Sequence, residues 1–339
     1  MPHRVLAVTA SSRLHFGLFA FGEGHQTQFG GVGLMIDRPK TRLRFVHSQR
    51  LSLQVTDEPR ARRTIEKWLN LHADQLREPI LDISKLGVAI RQISSPASHV
   101  GLGAGTQMTL AIAAGLDLWF RISPAMTIAD AEHFGRARRS AVGSHGFFLG
   151  GLIIDQGKND LAGVGNLGGR FDLPSQWRVV LTCPRHRQGP CGQHEEELFH
   201  SLPPVKLDSA NDLRQLVDEQ LIPAARAADF DQFSETIYAF GYRAGLCFGS
   251  YQGGPYNGPD VSRIVDFVRS IGVKGVGQSS WGPTVFALCS SPADAEELSA
   301  NLQKEFSPSD YWHEITPINN QGYSVSECTG EPITMEELS

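Results

Sequence analysis

Cysteine is scarce in this chain, 5 residues in 339, and none of Cys183, Cys191, Cys247, Cys289 and Cys328 stands in a C-x-x-C pair. An odd number without that spacing excludes a disulfide framework and argues against structural zinc; reduced thiols in a cytoplasmic protein are the expectation. A basic excess is also missing. Lys and Arg number 31 against 36 Asp and Glu, a net charge of −5, so the electrostatic drive for nucleic-acid binding is absent. No apolar run reaches the ~18 residues that a membrane helix needs. The most apolar stretch, Leu110 to Phe120, is shorter and carries Asp117. Met1 to Ala10 lacks the charged start and long apolar centre of a signal peptide and reads as a first strand. There is no internal repeat and no low-complexity tract. What remains is a small-molecule protein with neither nucleic acid nor membrane as partner. A polyanionic substrate stays open, because a few local arginines suffice for it.

What is present is an ordinary globular composition, 41% hydrophobic and 20% charged, at a length that favours two domains. Thr41 to His47 and Leu51 to Val55 alternate apolar and polar, as half-buried strands do. Arg60 to Arg77 places Ile65, Trp68, Leu69, His72 and Leu76 at helical spacing. A strand over Leu86 to Ile93 precedes a glycine-rich turn and an apolar helix, Met108 to Phe120. Thr127 to Arg139 reads as a helix with Thr127 as its cap and Asp130 in its first turn. Leu152 to Asp155 reads as a strand. The polar, glycine-rich stretch from Gly157 to Pro174 marks the boundary between domains 1–174 and 175–339. In the second domain, strands are expected at Arg178 to Thr182, Gly282 to Leu288 and Tyr311 to Ile318. Helices are expected near Ser209 to Ala228, Asp231 to Leu246, Asp260 to Ile271 and Pro292 to Phe306. The tail after about Ser326 reads as loose. Interleaved strands and helices in both halves make the class α+β.

Two glycine loops carry the chemistry. Gly101-Leu102-Gly103-Ala104-Gly105-Thr106-Gln107 lies between a strand and a helix. Its backbone N–H groups and the helix start together suit a phosphate or diphosphate, although a plain tight turn has the same composition. No Gly-Lys-Ser/Thr follows, so it is not a Walker loop, and the dinucleotide fingerprint does not fit either. The second loop, Gly275 to Thr284, combines three glycines with Gln278, Ser279 and Ser280; as a bare turn it would be anchored by Trp281. One such loop in each half points to a pocket between the halves.

Gly-Leu-Gly before an apolar helix, with a late Gly-x-Gly-x-Ser-x-x-Gly-Pro loop, resembles two motifs of the GHMP kinase superfamily. The resemblance implies a two-domain fold, an N-terminal α/β-layered domain with the phosphate loop and a C-terminal ferredoxin-like domain. Two positions depart from the kinase pattern. The kinase loop reads Gly-Leu-Gly-Ser-Ser where this chain has Ala104 and Gly105. The aspartate that serves some of these kinases as base falls on Gly143, which cannot accept a proton. Several blocks are similar to the beta-ribofuranosylaminobenzene 5'-phosphate synthase family, a non-kinase branch: Ser12 to Gly17, Phe29 to Gly33, His99 to Gln107, Arg138 to Ser140, Gln252 to Gly254 and Gly275 to Thr284. That likeness implies a pentosyltransferase: phosphoribosyl pyrophosphate loses pyrophosphate to 4-aminobenzoate or 4-hydroxybenzoate, carbon dioxide leaves, and a C-riboside 5'-phosphate enters tetrahydromethanopterin biosynthesis. It also implies Mg²⁺, and a homodimer as GHMP enzymes often form.

Within that reading Arg13, His15, Arg139 and His145 are the candidate catalytic residues. His99, the loop from Gly101 to Gln107, Ser140, Gln252, Gln278, Ser279 and Ser280 are candidate substrate contacts. Glu195 is a candidate magnesium ligand, with Asp37 an equal choice. For Arg13 and His15 a solvent-facing strand edge is the competing explanation, for Arg138 and Arg139 a helix end that favours cations, and for His145 a solvated loop. Two other functions compete: an ATP-dependent small-molecule kinase lacking the aspartate base, and a non-catalytic ligand sensor.

Overall fold

The computed structural model describes residues 3–76, 82–159, 163–189 and 192–330. The first half contains β1 (His3–Leu18), β2 (Gly31–His47), β3 (Ser52–Gln54), α1 (Glu58–His72), β4 (Val88–Ser94), α2 (Ala104–Phe120), α3 (Val142–Leu149), β5 (Leu152–Asp155) and β6 (Leu167–Phe171). The second contains β7 (Arg178–Pro184), α4 (Gly192–Ser201), α5 (Leu207–Leu216), α6 (Ile222–Ala227), α7 (Phe230–Leu246), α8 (Gly249–Gln252), α9 (Pro259–Ser270), β8 (Val276–Gln278), β9 (Val285–Cys289), α10 (Pro292–Glu305), β10 (Tyr311–Pro317) and β11 (Ser324–Gly330).

One sheet runs β11-β1-β2-β4-β3, with β5 and β6 added beside β2; the other runs β10-β7-β9-β8. The second sheet and its helices have the strand order of a ferredoxin-like domain. The chain passes from the first sheet to the second between Phe171 and Arg178 and returns at its end. That return corrects the expectation of a loose tail as far as Gly330: Ser324 to Gly330 pairs antiparallel with Thr9 to His3 at the open edge of β1, and residues 331–339 lie outside the described residues. An edge strand is a ready template for such addition.

The helix starts follow from local chemistry. Asp57 caps α1, its carboxylate accepting from the Arg60 N–H at 3.1 Å, and Ala61, Ile65, Trp68, Leu69 and His72 form the buried stripe. In α2 every residue from Gln107 to Asp117 is buried. Asp117 is satisfied there by the Trp68 indole N–H at 2.7 Å and the Met126 N–H at 2.6 Å. The helix expected over Thr127 to Arg139 is only a single 3-10 stretch, Ile128–Glu132, with the expected Thr127–Asp130 cap. It ends because Gly135 and Ala137 take positive φ, +71° and +56°, values that no helix continues through. Arg138 and Arg139 therefore sit on a loop and not at a helix end.

The two halves share a core. Leu14, Phe16 and Leu34 of the first sheet bury against Trp177, Leu181, Phe240 and Phe286 of the second half, with the Phe16 and Phe286 rings 4.9 Å apart. A Cβ on Gly17 would stand 2.4 Å from that of Ala244 in α7, so a side chain there would prise the halves apart. The functional cleft opens at one end of this seam.

Candidate active site

The two glycine loops meet. A Cβ on Gly101 would lie 2.2 Å from the Ser279 carbonyl oxygen, and one on Gly282 would lie 2.2 Å from the Val100 carbonyl carbon. Both glycines exist for this approach. The Ser279 hydroxyl donates to the Gly101 carbonyl at 2.7 Å and accepts from the His15 N–H at 3.1 Å. The Ser280 N–H donates to the His15 carbonyl at 2.8 Å, and the Arg13 N–H donates to the Leu102 carbonyl at 3.0 Å. β1 is thus the strip to which both loops are tied. His99 and Ser280 hold positive φ of 62° and 57°, a conformation that non-glycine residues keep only where the surroundings impose it.

Around these loops lies a cleft of about 840 Å³. At its floor α2 begins at Gly103, which is left-handed and offers no side-chain cap. The Thr106 and Gln107 N–H groups already donate to the Gly103 carbonyl at 3.0 and 3.1 Å, which leaves the Ala104 and Gly105 N–H groups at the positive end of the helix, where both residues line the cleft. Among the described residues, seven cationic side chains line it, Arg13, Arg60, Arg63, Lys67, Arg136, Arg138 and Arg139, against one carboxylate, Asp57. That carboxylate is engaged by Arg60, Nε to Oδ2 at 2.7 Å. In a chain of net charge −5, this concentration of positive charge is a local design for an anion. Burial, with Arg60, Arg138 and Arg63 nearby, pushes the Arg136 guanidinium down to about 10. His15 is held well below its ordinary value by burial first and Arg13 second, so its ring is neutral at pH 7 and bears no charge toward the cleft.

Another part of the cleft is apolar. Phe199, Phe248 and Trp281 line it, Phe199 stacked on Trp281 at 4.6 Å and Phe248 edge-on to Trp281 at 4.9 Å. The Arg139 guanidinium lies 4.4 Å from the centre of the Phe199 ring. One cleft thus carries both a group of cations and a group of aromatic rings, with Arg139 set against Phe199 and Trp281 supplied by the second glycine loop.

Of the residues singled out in the sequence, Arg13, His15, His99, Gly101, Leu102, Gly103, Ala104, Gly105, Thr106, Arg139, Ser140, Gln252, Gln278 and Ser280 line this cleft. Others support it from behind. The Gln107 amide is buried and donates to the Gly143 carbonyl at 2.9 Å, and Ser279 is consumed in joining the loops. His145 is no solvated loop residue: it is buried in α3, with Nε2 2.8 Å from the Gly165 carbonyl oxygen. Gln278 faces the cleft, yet its amide accepts from the Asn257 N–H and donates to the Ser280 carbonyl, both at 2.7 Å. Asp37 pairs with Lys40 at 2.8 Å, away from the cleft. The side chain of Glu195 lies outside the described residues.

Gly143 faces Arg13. A Cβ built on it would lie 3.5 Å from Arg13 Nε, so the place where some relatives of the fold carry a carboxylate is bordered here by a guanidinium. Behind it, Asp155 is fully buried and accepts from the Ala141 N–H at 2.5 Å, the Gly157 N–H at 2.9 Å and the Ser140 hydroxyl at 3.1 Å. Lys158 donates to the Ala137 carbonyl at 3.1 Å. The end of β5 and the residues just after it therefore fix both ends of the arginine-bearing loop, residues 137–141.

Among the described residues no group of three His, Cys, Asp or Glu is placed to hold a metal ion. The carboxylate of Asp57 in the cleft lining is taken by Arg60. These residues do not fit a magnesium ion held by the protein itself.

The GHMP kinases C terminal family matches residues 221–308. The beta-ribofuranosylphenol 5'-phosphate synthase of Archaeoglobus fulgidus is 28% identical over 335 residues, covering 95% of this chain and 99% of the relative. Its namesake from Methanothermobacter thermautotrophicus is 26% identical over 298 residues, 84% and 88% of the two chains. Homoserine kinase from Cytophaga hutchinsonii superposes with a TM-score of 0.64 at 15% identity, over 95% of this chain and 97% of that one, a likeness of fold. The chain is thus similar nearly end to end to beta-ribofuranosylphenol 5'-phosphate synthases and has the two-domain α+β architecture of the GHMP kinases.

Proposed function

We propose that this enzyme is a pentosyltransferase that moves the phosphoribosyl group of phosphoribosyl pyrophosphate onto a 4-substituted benzoate with loss of carbon dioxide. The carrying observation is the cleft itself: cations and a helix start at the glycine loop, with Gly143 in place of a proton-accepting carboxylate and Arg13 beside it. The anomeric C–O bond to pyrophosphate breaks, and the ring carbon bearing the carboxylate forms the new C–C bond. The bond to the carboxylate then breaks, its electron pair restores the aromatic ring, and carbon dioxide departs. No proton is removed from carbon, so a base at position 143 is not required. The name that the curated relatives bear, beta-ribofuranosylphenol 5'-phosphate synthase, supports 4-hydroxybenzoate over 4-aminobenzoate. The product's place is at the opening of tetrahydromethanopterin biosynthesis.

The residues divide the work. The first-turn N–H groups of α2 and Arg13 stabilise charge growing on the leaving diphosphate, which is where fixed donors accelerate most. Phe199, Phe248 and Trp281 hold the benzoate ring, a task of orientation. Neutral His15 keeps the wall between these regions uncharged. Magnesium is proposed to arrive on the diphosphate oxygens and not through protein carboxylates. The enzyme is proposed to work in the cytoplasm, as a homodimer.

The test uses carboxyl-labelled 4-hydroxybenzoate and 4-aminobenzoate with phosphoribosyl pyrophosphate and Mg²⁺. Release of labelled carbon dioxide, one per pyrophosphate, is expected with at least one acid. Absence of release with both, or ATP-dependent phosphorylation of a sugar or alcohol in its place, would refute the proposal.

A further inference from the structure

The cationic wall extends beyond what a leaving diphosphate at the glycine loop touches. On α1, Arg60, Arg63, Thr64 and Lys67 all line the cleft, and their spacing places them along one helical face. From Arg60 to Lys67 that face runs about 10 Å, at 1.5 Å per residue. Its near end abuts the glycine loop: a Cβ on Gly105 would lie 2.2 Å from Arg60 Nη1. Its far end abuts the other arginine-bearing loop: a Cβ on Gly135 would lie 3.5 Å from Lys67 Nζ. Arg136 stands within the field of Arg60, Arg63 and Arg138. Its Nε is buried and has no hydrogen-bond partner among the described residues. A guanidinium left so among other cations is a site for a ligand anion.

We propose that Arg63, Lys67 and Arg136 form a second anion subsite that holds the 5'-phosphate of the phosphoribosyl donor, separate from the glycine loop that holds its diphosphate. This rests on the phosphoribosyl-transfer reading. The donor carries phosphate at both ends of one sugar, and the wall presents cations at both ends of one helix face. The competing anion, the benzoate carboxylate, is a poor occupant. It leaves as carbon dioxide, and pairing it with arginine would stabilise the charge that has to be given up. The 5'-phosphate keeps its charge from substrate to product, so a permanent clamp on it costs the reaction nothing and holds the anomeric carbon in place.

Isothermal titration of the full chain with ribose 5-phosphate, and separately with inorganic pyrophosphate, tests this. It is run at 0.15 M salt, where charges more than about 8 Å apart are largely screened. Arg63 and Lys67 are exposed, so the double substitution Arg63→Gln/Lys67→Gln leaves the fold intact; Arg136→Gln is the half-buried companion. Expected is a loss of about tenfold or more in ribose 5-phosphate affinity, with pyrophosphate affinity changed by less than about threefold. Equal losses for both ligands, or no loss for ribose 5-phosphate, would overturn the subsite. Its failure is distinguishable from that of the wider reading. Unchanged affinities in a protein that still releases carbon dioxide from benzoate refute the subsite alone. A wild-type protein that binds neither anion refutes phosphoribosyl transfer and the subsite together.

Discussion

Substituting Gly143 with aspartate puts a carboxylate at the position that resembles the base of some GHMP kinases. A Cβ at this position meets Arg13 Nε at 3.5 Å, Thr106 Cγ2 at 3.7 Å and Gln107 Nε2 at 3.9 Å, all ordinary contact distances, so a Cβ fits without displacing its neighbours. Position 143 is in the first turn of α3, where an acidic residue interacts favourably with the helix dipole by about 0.3–1 kcal/mol. Replacing glycine in a helix adds up to about 1 kcal/mol more. Thermal stability should therefore hold or rise. Binding should fall. At ~4 Å and an effective dielectric of ~20, a unit charge opposes each phosphate charge by about 4 kcal/mol. Water in the open cleft screens much of this, leaving about 1.4–2.8 kcal/mol, a ~10- to 100-fold loss in pyrophosphate affinity. Titration calorimetry and a melting curve on the same sample read both effects, and Gly143→Asn separates charge from bulk. Unchanged pyrophosphate binding in Gly143→Asp, or an equal loss in Gly143→Asn, would refute the placement of the diphosphate beside Arg13.

Two buried groups give further outcomes. Asp155→Asn leaves one of three donors to the carboxylate without an acceptor and should cost about 1–3 kcal/mol in denaturant unfolding; it should also lower turnover by loosening residues 137–141, and full activity would mean that this anchor is dispensable. His15 has a folded pKa well below 6.5, so the unfolded chain binds the extra proton first. Its contribution to stability is complete above pH 6.5 and is lost as pH falls from there through the depressed value. Unfolding free energy measured against pH should show that slope in the wild type and less of it in His15→Gln; identical slopes would mean that another group carries it.

Much of the site was legible because glycine patterns report close backbone approach. The loops that hold Gly101 and Gly282 pair across the sequence on composition alone, and each glycine proves to sit against the other loop. Arg13 and His15 stood out as polar residues in an apolar strand. The α1 cations did not stand out, since Arg60, Arg63 and Lys67 read as the solvated side of an amphipathic helix. Only the docking of that helix on Gly105 and Gly135 turns the solvated side into a wall. The periodicity of Arg60, Arg63 and Lys67, together with Arg136 and Arg138 just before the Arg139–Ser140 motif, was the available signal. Thr127 to Arg139 misled for a related reason. Its cap is genuine, but Gly135 and Ala137 turn left-handed just beyond it, and the residues that hold 137–141, Asp155 and Lys158, lie far along the chain. β11 was missed because pairing with the edge of β1 is long-range and leaves little mark on local composition.

The most direct measurement is a crystal structure of the protein soaked with inorganic pyrophosphate. Expected is a diphosphate within hydrogen-bond distance of the Ala104 and Gly105 N–H groups and of the Arg13 guanidinium. A diphosphate ordered elsewhere in the cleft, with the start of α2 not touching it, would contradict the placement on which the proposed reaction depends.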